Sequence, residues 1–148
     1  MLIVVALATA LALVGLGGGL YEFSVVDRSW PKRPDLIQPA RGGISRRRFW
    51  IPIHVAFEVS LIVALVWAWP VHDVRWPLLV ALGSHAIMRL WSVLDFIPRA
   101  MNFERAEPGT VNEAKARSWT RRSRLRLPLD LITCGALLAA FAAAARLD

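Results

Sequence analysis

The sequence predicts an all-α integral membrane protein, a four-helix bundle, and three observations carry that prediction. A hydrophobic share of 56% and a mean hydropathy of +0.46 exceed what a soluble domain of 148 residues needs for its core. Four apolar runs, at about 2–23, 49–69, 76–97 and 127–145, each approach the ~20 residues that cross a bilayer as a helix. The positive charge, finally, is gathered into two blocks.

Arg28, Lys32, Arg33, Arg41, Arg46, Arg47 and Arg48 lie between the first two runs, and eight further cations from Arg99 to Arg126 lie between the last two. Only Arg75 separates the second run from the third. This is the positive-inside pattern: a single transmembrane domain, both basic loops in the cytoplasm, both termini outside, in a bacterial-type inner membrane. Topology accounts for the net charge of +7 without nucleic acid. It makes the bilayer, with its anionic lipid headgroups, the expected partner.

The first run has no basic segment ahead of its apolar stretch, so it reads as a retained helix rather than a cleaved leader. Gly15, Gly18, Glu22 and Val26 share one face of it, a groove of small residues ending at a carboxylate. Gly17, Gly18 and Gly19 in succession invite a kink or local unwinding. The next segment carries Pro31, Pro34 and Pro39 and is expected to lie against the membrane with Trp30 among the headgroups.

The second run places Trp50, His54, Phe57, Glu58, Leu61 and Leu65 on one stripe and ends in an aromatic belt, Trp67 and Trp69, before Pro70. A short turn holding a solvated His72 makes the second and third helices antiparallel neighbours. The third run aligns His85, Met88, Arg89, Ser92, Phe96 and Arg99, with Trp91 and Asp95 at the stripe's edge. Between it and the fourth run, residues 112–126 form a surface helix that dips Trp119 into the interface. The fourth run presents Asp130, Cys134, Leu137 and Phe141. Cys134, the single cysteine, reads as a packing residue and excludes an intrachain disulfide.

Ionisable groups at membrane depth are expensive, so they mark sites or pair with one another. His54, Glu58, His85 and Arg89 are the candidate catalytic residues; Tyr21, Glu22, Trp50, Trp91, Asp95, Phe96 and Asp130 are the candidate substrate-binding residues. Counted from the basic ends of the helices, Glu58 and Arg89 both lie roughly 12 Å in and pair, while His54 lies roughly 6 Å and His85 roughly 18 Å in. The acids Glu22, Asp95 and Asp130 fall near the same surface, so a pocket opening toward the cytoplasm or the inner leaflet is expected. Register-fixing ion pairs without chemistry are the plainer reading of the same residues.

No dinucleotide, phosphate-loop or nucleophile-elbow motif is present. A bis-histidine haem is disfavoured by the roughly 12 Å offset between His54 and His85. The expectation is no resident cofactor and no metal ligands; a mononuclear metal on Glu58, His85 and a second carboxylate is the alternative left open. Glu22 lies too near its helix end for a small multidrug transporter.

Gly18-Gly19-Leu20-Tyr21-Glu22, then Val25-Val26-Asp27, Trp30-Pro31 and Arg41-Gly42-Gly43, resemble the opening third of the small four-helix anthrone-oxygenase-like membrane proteins (DUF1772). In place of that family's acidic-Pro-Ala-Arg string stands Asp27-Arg28-Ser29-Trp30-Pro31. The resemblance implies cofactor-independent oxygenation of a flat, hydrophobic, acidic-CH substrate through a carbanion that meets dioxygen. A base, His54 or Glu58, would take the proton, and Arg89 or His85 would hold the enolate oxygen. Tyr21, Trp50, Trp91 and Phe96 would pack on the rings. The expected function is thus a membrane enzyme for a lipophilic, aromatic or quinol-like small molecule. The alternative is a non-enzymatic bundle: a lipophile or proton-coupled carrier, or a subunit of a homo-oligomer or larger membrane complex.

Overall fold

In the computed structural model, which describes residues 1–147, the chain is all-α. Four helices among the described residues are long and apolar enough to cross a membrane: α1 Leu2–Ser29, α2 Arg47–Trp67, α3 His72–Arg105 and α4 Glu113–Ala144. Each expected run is found. Three helices, however, continue past the apolar runs into the Arg-rich end of the bundle. The 34 residues of α3 span about 50 Å, against about 30 Å for a bilayer's hydrocarbon core. The polar stretch expected as a separate surface helix is the first part of α4, capped by the Asn112 side chain accepting from the Lys115 N–H and joined to the rest through a tight turn at Arg124–Arg126.

α4 packs along α3 and also against α1, which in turn lies along α2. Small residues permit this closeness: Ala8 and Ala12 of α1, Ala81 of α3, and Ala140 and Ala144 of α4 are buried together with Val5, Leu61, Leu78 and Leu137. Two hydroxyls stitch backbones across the interfaces, Thr9 to the Leu137 carbonyl at 3.4 Å and Ser84 to that of Leu129 at 2.8 Å. Ile51, Val55, Val59, Ile62 and Val66 remain exposed on the outer face of α2.

The tight turn between α2 and α3 does not make them close neighbours along their length, as the sequence reading expected. Their backbones approach one another far less than those of α3 and α4. A cleft separates them, and side chains rather than backbone packing bridge it.

Both α1 and α3 pass through a π-helical turn, at Glu22–Val26 and Ser92–Phe96. The glycine triplet therefore does not unwind α1: the helix absorbs one extra residue per turn just beyond it and runs on. In α3 the cause is Pro98, whose ring collides with the carbonyl four residues earlier and which offers no N–H to it. In each a serine hydroxyl donates back to the carbonyl four residues earlier, Ser24 to Leu20 at 2.6 Å and Ser92 to Met88 at 2.8 Å.

At the Arg-rich end the loop after α1 folds over the bundle instead of lying beside it. Trp30 is not an interfacial anchor. It is fully buried, donates its indole N–H to Asp27 at 2.9 Å, and packs at 5.2 Å on Phe103 and 5.8 Å on Trp119. Trp119 is likewise buried with Ile37, Phe96 and Ala116 in this second core. Pro34 and Pro39 open short 3₁₀ turns, which their fixed φ favours. Gln38 is buried and donates to the carbonyls of Phe103 at 2.9 Å and Ala106 at 2.8 Å, near the end of α3. Gly43 must be glycine, because a Cβ there would collide with the Asp35 carbonyl, and Gly42 adopts φ +82°.

Candidate functional site

α2 carries His54 and Glu58 four residues apart, and α3 carries His85 and Arg89 at the same interval, so each pair projects from one helix face. Glu58 Oε1 is the hub between the helices. It accepts from Arg89 Nε at 3.0 Å and lies 3.2 Å from His85 Nε2. The expected Glu58–Arg89 pair is therefore present, but as a cleft contact: the side chains keep 36% and 32% of their surface accessible. Phe57 sets its ring edge-on to His85 at 4.8 Å. This packing and the Glu58 contact hold the imidazole from two sides.

The rings of His54 and His85 are 5.8 Å apart, which overturns the offset inferred from the sequence. The origin of the count was at fault. α2 and α3 are tied at their short turn, whereas their Arg-rich ends extend to different lengths. His54 stands thirteen residues before Trp67 and His85 thirteen after His72, so measured from the turn they are level.

His54 stacks on Trp50 at 5.4 Å and has no hydrogen-bond partner among the described residues. Trp50 in turn donates to Glu22 Oε2 at 2.7 Å, and Arg46 donates to Glu22 Oε1 at 3.1 Å. Arg46 also reaches Glu104 at 3.4 Å and lies 5.6 Å over the Trp119 ring. The result is a second polar tier nearer the Arg-rich end, with its acids and cations matched.

Between these tiers lies a cavity of about 460 Å³ to which all four helices contribute. Leu11, Gly15 and Leu16 line it from α1, His54 and Trp50 from α2, Met88 and Arg89 from α3, and Thr133 and Cys134 from α4. Gly15 faces open space, with nothing within 4 Å of where a Cβ would stand. Ile51 and Val55 of α2 and Ile97 of α3 line it as well and are exposed on the outside of the bundle, so the cavity reaches the surface between α2 and α3.

Of the residues singled out in the sequence, His54, His85, Arg89, Glu22, Trp50, Phe96 and Asp130 line this cavity. Glu58 is bonded to two of them. Three candidates for substrate contact are placed elsewhere. Tyr21 is 62% exposed on the outer surface of α1. Trp91 packs on Phe96 at the margin of the second core. Asp95 is taken up by Arg99 at 2.9 Å and by Arg122, so it braces α3 against α4.

The sequence reading missed Arg126, which lines the cavity, donates to Ser92 at 2.7 Å and Ser123 at 2.6 Å, and lies 4.4 Å over the Phe96 ring. It missed Arg46 and Glu104 in the same way, because each looked like one more charge in a basic block.

A scan of family models, a search of curated proteins and a search of solved structures each find no match to the chain.

Proposed function

We propose that the chain is a membrane-embedded enzyme whose lipophilic substrate enters sideways between α2 and α3, with the Arg-rich end of the bundle on the cytoplasmic side. The single observation that carries this reading is the 460 Å³ cavity, apolar over much of its wall yet lined by His54, His85 and Arg89. A bundle built only to fix its own register has no use for such a space, and a drug-sized or quinol-sized ring system fits its volume. The charge asymmetry of the loops supports the orientation.

The chemistry that best suits this cavity is abstraction of an acidic C–H proton, with the resulting carbanion reacting with dioxygen. His54, stacked but not hydrogen-bonded, is the group placed to take the proton. Glu58 is committed to Arg89 and His85, which makes it the positioning residue rather than the base. Arg89, oriented by Glu58, is the donor for the developing enolate oxygen. Trp50 and Phe96 offer faces to the ring system.

Oxygen uptake by purified protein, assayed with anthrone-like substrates that carry an acidic C–H, tests this. Turnover should fall by at least about 100-fold in both His54→Ala and Arg89→Ala. Turnover that both substitutions leave untouched defeats the assignment.

A further inference from the structure

The two histidines and the carboxylate at the head of the cavity form a donor set that the reaction above does not require. His54, Glu58 and His85 each present one ligand atom, and the three atoms lie within 4.8 Å of one another. Ligands held about 2.1 Å from one ion stand about 3.0–3.4 Å apart at right-angled or tetrahedral geometry. The 3.2 Å between His85 Nε2 and Glu58 Oε1 already has that spacing, and a His54 ring nitrogen lies within 4.8 Å of both. Facing helices of a four-helix bundle are a common scaffold for such sites.

We propose that His54, Glu58 and His85 bind a divalent first-row transition-metal ion, with its remaining coordination positions open to the cavity. Two imidazoles and one carboxylate suit iron(II), manganese(II) or zinc(II), and too few ligands are present to close the sphere. The surroundings match what such sites need. Arg89 donates to the same carboxylate and would serve as the outer partner that orients it toward the ion. Phe57 and Trp50 fix the two imidazole planes from outside. His54 and His85 both line the cavity, so the ion's open side meets whatever enters between α2 and α3. The inference goes beyond the proposed reaction and changes one role in it: with an ion bound, His54 would be a ligand, and the ion would supply the proton-accepting group.

Cobalt(II) titrated into metal-stripped, detergent-solubilised full-length protein provides the test. One equivalent should bind and develop the intense visible bands of four- or five-coordinate cobalt, which zinc then displaces. Glu58→Gln and His85→Ala should each weaken binding about 10-fold or more, with circular dichroism melts showing that both still fold. His72→Ala, at the exposed turn, should bind as the wild type does. A spectrum that stays that of hexaaquo cobalt, or binding equal in wild type, Glu58→Gln and His85→Ala, overturns the site. Because no substrate enters the assay, these outcomes stand apart from the turnover test of the enzyme reading.

Discussion

Trp50 donates its indole N–H to Glu22 across 2.7 Å while its ring face lies 5.4 Å from the His54 imidazole. One side chain therefore joins α1 to α2 and also sets the plane of the candidate base. Glu22 is anchored a second time by Arg46, so the indole is held from a fixed point.

Trp50→Phe keeps an aromatic face but removes that donor. A hydrogen bond to a charged acceptor contributes about 1.5–3 kcal/mol, and Arg46 continues to satisfy the carboxylate, so a loss near the lower end is expected. Urea or thermal unfolding in detergent measures it. The functional readout is a larger change: His54 should lose its ordered stacking, seen as broadening of its imidazole NMR signals.

The Glu58–Arg89 pair should contribute little to stability. Both side chains are about a third accessible, but that surface faces the cleft between apolar helices, where the cost of desolvating the two charges offsets much of their attraction. The double variant Glu58→Gln/Arg89→Gln should therefore unfold within about 1 kcal/mol of the wild type. Turnover should nevertheless drop in Glu58→Gln alone, because the guanidinium loses the group that orients it. Stability lost in step with activity would mean that the pair only fixes the helices.

Trp30 should be among the costliest positions in the chain. It is fully buried against Phe103 and Trp119, and removing a buried tryptophan costs about 3–5 kcal/mol. In Trp30→Ala the core at the Arg-rich end should open, and limited proteolysis should cut the 30–45 segment while the four long helices keep their circular dichroism signal.

Gly15 and Gly43 should respond in opposite ways. A side chain at Gly15 meets nothing within 4 Å and projects into the cavity, so Gly15→Leu should leave the melting temperature nearly unchanged while displacing a lipophilic fluorescent probe. Gly43→Ala drives a Cβ into the Asp35 carbonyl and should destabilise without altering probe affinity per folded molecule. Probe binding that survives in Gly15→Leu would place the ligand outside this cavity.

The sequence by itself determined the count of long apolar helices and the pairing of His54 with Glu58 and of His85 with Arg89 on helix faces; the expected Glu58–Arg89 contact is present, although the count behind it took the wrong origin. Apolar run length and four-residue spacing are local properties, fixed by backbone hydrogen bonding whatever the neighbours are. Tertiary structure alone decided that His54 and His85 meet, that Tyr21 faces outward, that Asp95 is consumed by Arg99 and Arg122, and that Trp30 and Arg126 turn inward. Those outcomes depend on where one helix is tied to the next and on π turns that shift register along α1 and α3. Neither leaves a mark in the hydrophobic period. A tight turn sets the relative height of two helices, and the packing of the remaining elements sets which of their charges are buried.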